Sequence, residues 1–191
     1  MLTIDGVLAT FIILIGIVGV VRGFLKELGV TLVMVATLWV LEFLLIPTVE
    51  RLLNEGKLAF LGLNSLTESQ GAQTLLFLVY SAVIVFAAFI SYQGETLSYE
   101  GSVPKGILGV LLGFLIGAAN GYLIFGTLWW IADRYHYPFG LIVGKLPDSS
   151  QQIINAHLLP LDLLAGGATG MGPVNLLAII LVILIFLKVL R

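Results

Sequence analysis

An arginine, a lysine and a glutamate are wedged between two apolar runs, each of membrane-crossing length. The runs extend from Ile4 to Val21 and from Leu28 to Ile46, with Arg22, Gly23, Lys26 and Glu27 between them. A transmembrane helix needs about 20 mostly apolar residues to cover roughly 30 Å of hydrocarbon. Two such runs joined so closely predict a tight helical hairpin that turns at Arg22-Gly23. The frame returns later in the chain. Gly19-x-x-Arg22-Gly23-Phe24-Leu25 and Gly117-x-x-Asn120-Gly121-Tyr122-Leu123 share a glycine, a polar residue, a second glycine, an aromatic residue and a leucine, at the end of or within an apolar run.

Further runs predict a third span over Ala72–Tyr92, a fourth over Gly106–Ala132 and a last one over Val174–Leu187, extendable to Leu190. Pro47 is expected to stop the second span, and Pro104 fits the first turn of the fourth. The fold class is therefore all-α: a polytopic membrane protein with about five transmembrane helices plus an interfacial helix. Residues 1–150 form a four-span membrane domain. Residues 151–172 hold the interfacial helix and a glycine-rich linker, and residues 173–191 add a C-terminal span. The interfacial helix is expected after Pro147, capped by Ser149 or Ser150 and bent at Pro160. Trp129, Trp130 and Tyr135 read as an aromatic belt at the end of the fourth span.

Composition agrees. The chain is 59% hydrophobic and 10% charged, where soluble domains carry about 25% charged residues. The net charge of −2 and the lack of a basic tract disfavour nucleic acid as a partner. With no cysteine, disulfides and iron–sulfur clusters are excluded. The expected partners are the lipid bilayer and either a second copy or other membrane subunits. An outside N-terminus puts five Lys and Arg inside (Arg22, Lys26, Lys105, Lys188, Arg191) against four outside, which sets the orientation by a margin of one charge.

Gly109, Gly113, Gly117 and Gly121 recur every fourth residue of the fourth span, and Gly16, Gly19 and Gly23 make a shorter stripe on the first. In lipid, close backbone approach drives helix association, and small residues on one line permit it. The stripes read either as packing of span one on span four, or as an interface between copies or a narrow backbone-lined pore. Asp5, Arg22 and Glu42 are the ionisable groups nearest the hydrocarbon, read either as interfacial anchors or as a buried polar pair or conduction feature, and Glu27 is the nearest partner for Arg22. Glu42, just before Pro47, reads as reaching the headgroups.

No catalytic constellation is present. The chain lacks His-Glu-x-x-His and Gly-x-Ser-x-Gly, and Gly140 to Lys145 lacks the spacing of a phosphate loop, with Leu146 where Ser or Thr belongs. The expectation is a non-enzyme without metal or resident cofactor. A lipid or pigment held at the protein surface stays open, with His136 and His157 as the side chains able to ligate one.

Asp5 opening an apolar helix, followed by Gly19-x-x-Arg22-Gly23-Phe24-x-x-Glu27, resembles the start of the colicin V production protein family. The likeness returns at Gly106-x-x-Gly109-x-x-x-Gly113-x-x-x-Gly117-x-x-Asn120-Gly121 and at Leu146-Pro147-Asp148-Ser149-Ser150, spanning Met1 to Ser150. Asn120 stands where that family often has Arg, and the span after Gly172 exceeds its four-helix core. The resemblance implies a bacterial inner-membrane protein that supports toxin production or export, or envelope homeostasis, with Asp5, Gly19, Arg22, Gly23, Glu27, Gly117 and Gly121 as motif residues. It supplies no catalytic residues. A second expectation is an accessory subunit of a large photosynthetic or respiratory complex.

Overall fold

The computed structural model describes residues 3–58, 70–93, 99, 101, 106–140, 145–165 and 175–190. Every regular element among them is helical. Four helices are long and apolar enough to cross a membrane: α1 (Ile4–Arg22), α2 (Phe24–Asn54), α3 (Gln70–Gln93) and α4 (Ile107–Arg134).

Thr3 caps α1, its hydroxyl accepting the Gly6 N–H at 3.3 Å. This satisfies one of the amides that a helix start leaves without a partner. The helix ends at Arg22 because Gly23 takes φ 89°, a conformation in which a Cβ is disfavoured. The Gly23 N–H still closes onto the Gly19 carbonyl at 2.9 Å, and α2 starts on the next residue. The sharp hairpin thus needs a single residue in an unusual conformation.

Pro47 does not stop α2. A proline lacks the amide hydrogen and its ring crowds the carbonyl one turn earlier, which normally breaks a helix. Here the chain widens into a π-helical turn at Leu41–Leu45, and the Ile46 N–H reaches back to the Leu41 carbonyl. α-Helix then resumes over Ile46–Asn54. One wide turn re-satisfies the backbone and carries the helix past the proline. As a consequence Glu42 lies within a continuous helix, about 18 Å short of its Asn54 end at 1.5 Å per residue. A second π-helical turn, Tyr122–Gly126, interrupts α4.

α4 packs between α1 and α2, and α2 also meets α3. Between α1 and α4 the two glycine stripes face each other. A Cβ on Gly113 would lie 2.7 Å from the Gly19 carbonyl oxygen, and one on Gly117 would lie 2.6 Å from the Ile15 carbonyl and 2.9 Å from the Gly19 Cα. A Cβ on Gly121 would stand 3.0 Å from the Ile12 Cα. Gly16 accommodates the Phe114 ring, and Gly109 is half-buried. The stripe is occupied by α1 of the same chain, so no backbone-lined pore runs along it within one copy. Around α2 the packing is made by side chains instead: Val30, Met34, Leu38 and Leu41 are sealed, as are Tyr80 and Ile84 on α3.

After α4 the chain forms α5 (Asp148–Asn155) and α6 (Pro160–Ala165). These differ from the single bent helix expected. Residues 156–159 separate them, His157 has φ 51°, and Pro160 begins the second helix, the position where a missing N–H costs nothing. Neither serine caps α5; Pro147 occupies the N-cap position without a side-chain bond. The belt assignment for Trp129, Trp130 and Tyr135 also fails, because all three are buried. Trp130 turns inward to donate to Asp162 on α6 at 2.8 Å, and Trp129 donates to the Tyr137 hydroxyl at 3.1 Å. The linker at Gly166–Gly172 and Pro104 lie outside the described residues.

The C-terminal apolar run forms α7 (Leu176–Val189), capped by the Asn175 side chain at 3.0 Å. Its 14 residues cover about 21 Å, less than the roughly 30 Å of hydrocarbon. α7 packs on α2, with Leu177 and Leu184 sealed. Tyr99, whose N–H reaches the Leu25 carbonyl at 3.4 Å, donates its hydroxyl to the Leu184 carbonyl at 2.8 Å. That bond ties the end of α7 to the hairpin side of the bundle.

A buried carboxylate as the candidate functional site

All four long helices converge on one side chain. Glu27, in the first turn of α2, is fully buried. Its Oε1 accepts from the Arg22 guanidinium of α1 at 2.9 Å. Its Oε2 accepts from Asn120 of α4 at 2.9 Å and from the Tyr92 hydroxyl of α3 at 3.2 Å. Asn120 is also fully buried. The same amide nitrogen donates to the Glu27 carbonyl at 3.0 Å, and its oxygen accepts from Thr31 at 2.8 Å. Arg22 donates a second time, to the Tyr92 carbonyl at 3.2 Å, and its guanidinium lies 4.5 Å from the Tyr92 ring centre.

Local sequence explains the convergence. Gly23 turns the chain so sharply that Arg22 at the end of α1 and Glu27 at the start of α2 face each other, five residues apart. The glycine seam draws α4 close to α1, and Asn120 points from the side of α4 that meets α2. Asn120 is at the middle of α4, so the cluster reaches deep into the bundle. A buried ion costs several kcal/mol in desolvation, offset only when its remaining lone pairs are engaged. Here both oxygens are. A carboxylate so saturated is a clamp: it holds four helices in one register.

The far end of the bundle has its own polar contacts. Asp5 accepts from Ser150 at 2.6 Å, joining the start of α1 to α5. The Ser150 bond holds the Asp5 carboxylate in place, where the helix dipole also favours it. Arg134, ending α4, pairs with Glu50 of α2 at 2.6 Å and stacks 5.1 Å from the Trp130 ring centre. Tyr122 donates to the Leu158 carbonyl at 2.6 Å, and a Cβ on Gly126 would meet the Pro160 ring at 2.7 Å, so the short helices seat directly on α4. Burial pushes the Tyr135 and Tyr137 hydroxyls up from their ordinary range, and both stay protonated.

The structure therefore gathers Arg22, Glu27 and Asn120 at one site and Asp5 and Ser150 at another, with Gly16, Gly19, Gly113, Gly117 and Gly121 between them. It does not bring His136 to either. His157 stands 3.9 Å from Asp162, partly exposed. Tyr92 and Thr31 were missed by motif reading. Tyr92 ends an apolar run, where a tyrosine passes for an interface anchor, and Thr31 sits one turn beyond Glu27, which helical spacing alone would have flagged. The chain matches no family model, no curated protein and no solved structure.

Proposed function

We propose that this chain is a non-enzymatic integral membrane protein of the bacterial inner membrane that acts, as its resemblance to colicin V production proteins implies, in toxin export or envelope homeostasis. One observation carries the reading. The residues that bear the resemblance are scattered in sequence, yet they meet in space: Arg22 with Glu27 and Asn120, Gly19 against Gly117, Asp5 with Ser150. Motifs that jointly build one scaffold fit a protein whose task is to present a fixed helical platform. Channel activity on this reading belongs to an assembly of copies, because the glycine stripe is filled within each.

A second reading, an accessory subunit of a larger membrane complex, is favoured by an open apolar groove of about 510 Å³ between α2 and α3, lined by Leu32, Ala36, Val40, Phe86 and Ile90. The test of the first reading is complementation. In a bacterium lacking its own colicin V production protein but carrying the toxin genes, the chain should restore secreted toxin, read as a clearing zone on an indicator lawn. Arg22→Ala should not. Normal membrane accumulation with no clearing zone would overturn the reading, and a stoichiometric partner set after untagged native purification would favour the second.

A further inference from the structure

A cleft of about 280 Å³ is bounded by the first two turns of α1, the first half of α3 and the last turns of α4. Four of its lining side chains are aromatic: Phe11, Phe77, Phe125 and Trp129. Each is held in place by a contact of its own. Phe11 and Phe125 stack with ring centres 3.9 Å apart. Phe77 meets the Phe139 ring edge-on, with centres 6.3 Å apart. Trp129 donates to the Tyr137 hydroxyl. Phe125 belongs to the π-helical turn of α4, a distortion that recurs at functional sites.

Ser81 is the one hydroxyl among the lining residues. Elsewhere on α3, Thr74 and Ser91 donate to the carbonyls of Gln70 and Ala87, one turn back. Ser81 has no such bond: its Oγ is sealed from water and has no partner among the described residues. An unpartnered buried hydroxyl is uncommon and calls for an explanation. With no protein bond to hold it, the side chain is free to turn among its staggered positions toward a group seated in the cleft.

These features narrow the occupant. A helix is about 10 Å across with its side chains, too broad for a cleft of this volume. An acyl chain would fill the apolar part but carries no acceptor along its length for Ser81. A flat ring suits aromatic walls, which favour offset-stacked and edge-on neighbours. The volume, at the lower end of the roughly 300–1,000 Å³ of ligand pockets, suffices for one ring and leaves any tail outside. We propose that the cleft binds the head of a lipid-soluble quinone, with a ring carbonyl accepting from Ser81 and the prenyl tail leaving between α1 and α3. The assignment does not rest on the toxin-export reading.

The full chain, carrying Trp39→Phe, is placed in lipid nanodiscs and titrated with decylubiquinone, while tryptophan fluorescence is followed. Quenching of Trp129 should saturate at one quinone per chain. Ser81→Ala costs the fold no hydrogen bond among the described residues, and it should weaken binding about three- to tenfold, the share of one hydrogen bond. Ser81→Thr keeps the hydroxyl and should restore affinity. Val7→Phe puts a side chain into the cleft and should abolish saturation; if that variant fails to fold, the Ser81 pair still decides. Quenching that never saturates in the parent protein would overturn the proposal, as would equal affinity with and without the Ser81 hydroxyl. Quenching that follows brominated acyl chains and ignores the quinone would place an acyl chain in the cleft, and would overturn it as well.

Discussion

Glu27 and Glu42 ride on the same helix and are received by the bundle in opposite ways. Glu27 is fully buried, yet both oxygens are taken by donors from three other helices. Glu42 is less buried, and its sealed oxygen has no partner among the described residues. The cost of a buried charge thus depends less on depth than on how many donors the fold aims at it. The first carboxylate is built into the scaffold. The second is left incomplete, next to a helix irregularity of the kind often found at functional sites.

The sharpest way to break this contrast is to make one substitution at both positions. Glu27→Leu removes the acceptor and strands Arg22, Tyr92 and Asn120 together. Breaking a buried pair costs about 3–5 kcal/mol, a large fraction of the roughly 5–15 kcal/mol that holds a typical domain folded. Detergent-titration unfolding in mixed micelles should show that loss. Wild-type stability would mean that the cluster is ornamental.

The seam that carries Asn120 toward Glu27 comes next. Gly117→Ile would drive a side chain into the Ile15 carbonyl and the Gly19 Cα, where backbone on both sides leaves nothing flexible to yield. Overpacking costs about 1–3 kcal/mol in ordinary cores, and a loss at or above the top of that range is expected. Leu111→Ile, on an exposed face of the same helix, should change little. A crosslink between cysteines placed at Phe11 and Phe125, whose rings stack 3.9 Å apart across the same pair of helices, should form within one chain. If it formed only between chains, the seam would be an interface between copies.

What the sequence disclosed follows from these physics. The helical class, the hairpin at Gly23, the glycine stripes and the Arg22–Glu27 pairing are local or periodic signals, and periodicity survives in one dimension. The passage of α2 through Pro47 was not legible, because a π-helical turn leaves no composition mark on Leu41–Leu45. The inward turn of Trp129 and Trp130 depends on α6, whose Asp162 is remote in sequence. Tyr92 joined the cluster only once α3 was packed beside the hairpin. Residues recruited by tertiary contact alone carry no periodic signature.

A smaller effect separates the members of the Glu27 cluster. Tyr92→Phe removes the longest of the bonds to Glu27, 3.2 Å, and leaves the Arg22 and Asn120 donors in place. A single hydrogen bond contributes about 1 kcal/mol net, somewhat more to a charged acceptor. The expected loss is therefore about 1–2 kcal/mol by the same titration. The ring remains for Arg22 to rest on. A loss as large as that of Glu27→Leu would show that Tyr92 matters chiefly by packing.

The smallest effect belongs to Glu42→Leu. The substitution deletes an oxygen that lacks a donor and replaces it with methyl groups of similar bulk. The fold loses no hydrogen bond seen among the described residues, and it sheds the desolvation cost of a polar group inside the span. Replacing buried polar groups by apolar ones of the same shape is often neutral or stabilising. Stability should stay within about 0.5 kcal/mol of wild type or rise. Leucine at Glu42 and leucine at Glu27 then differ by several kcal/mol on one helix. That gap measures the donors that α1, α3 and α4 aim at Glu27 and withhold from Glu42. Equal losses at the two positions would mean that an unseen partner completes Glu42 and that the contrast between the carboxylates is false.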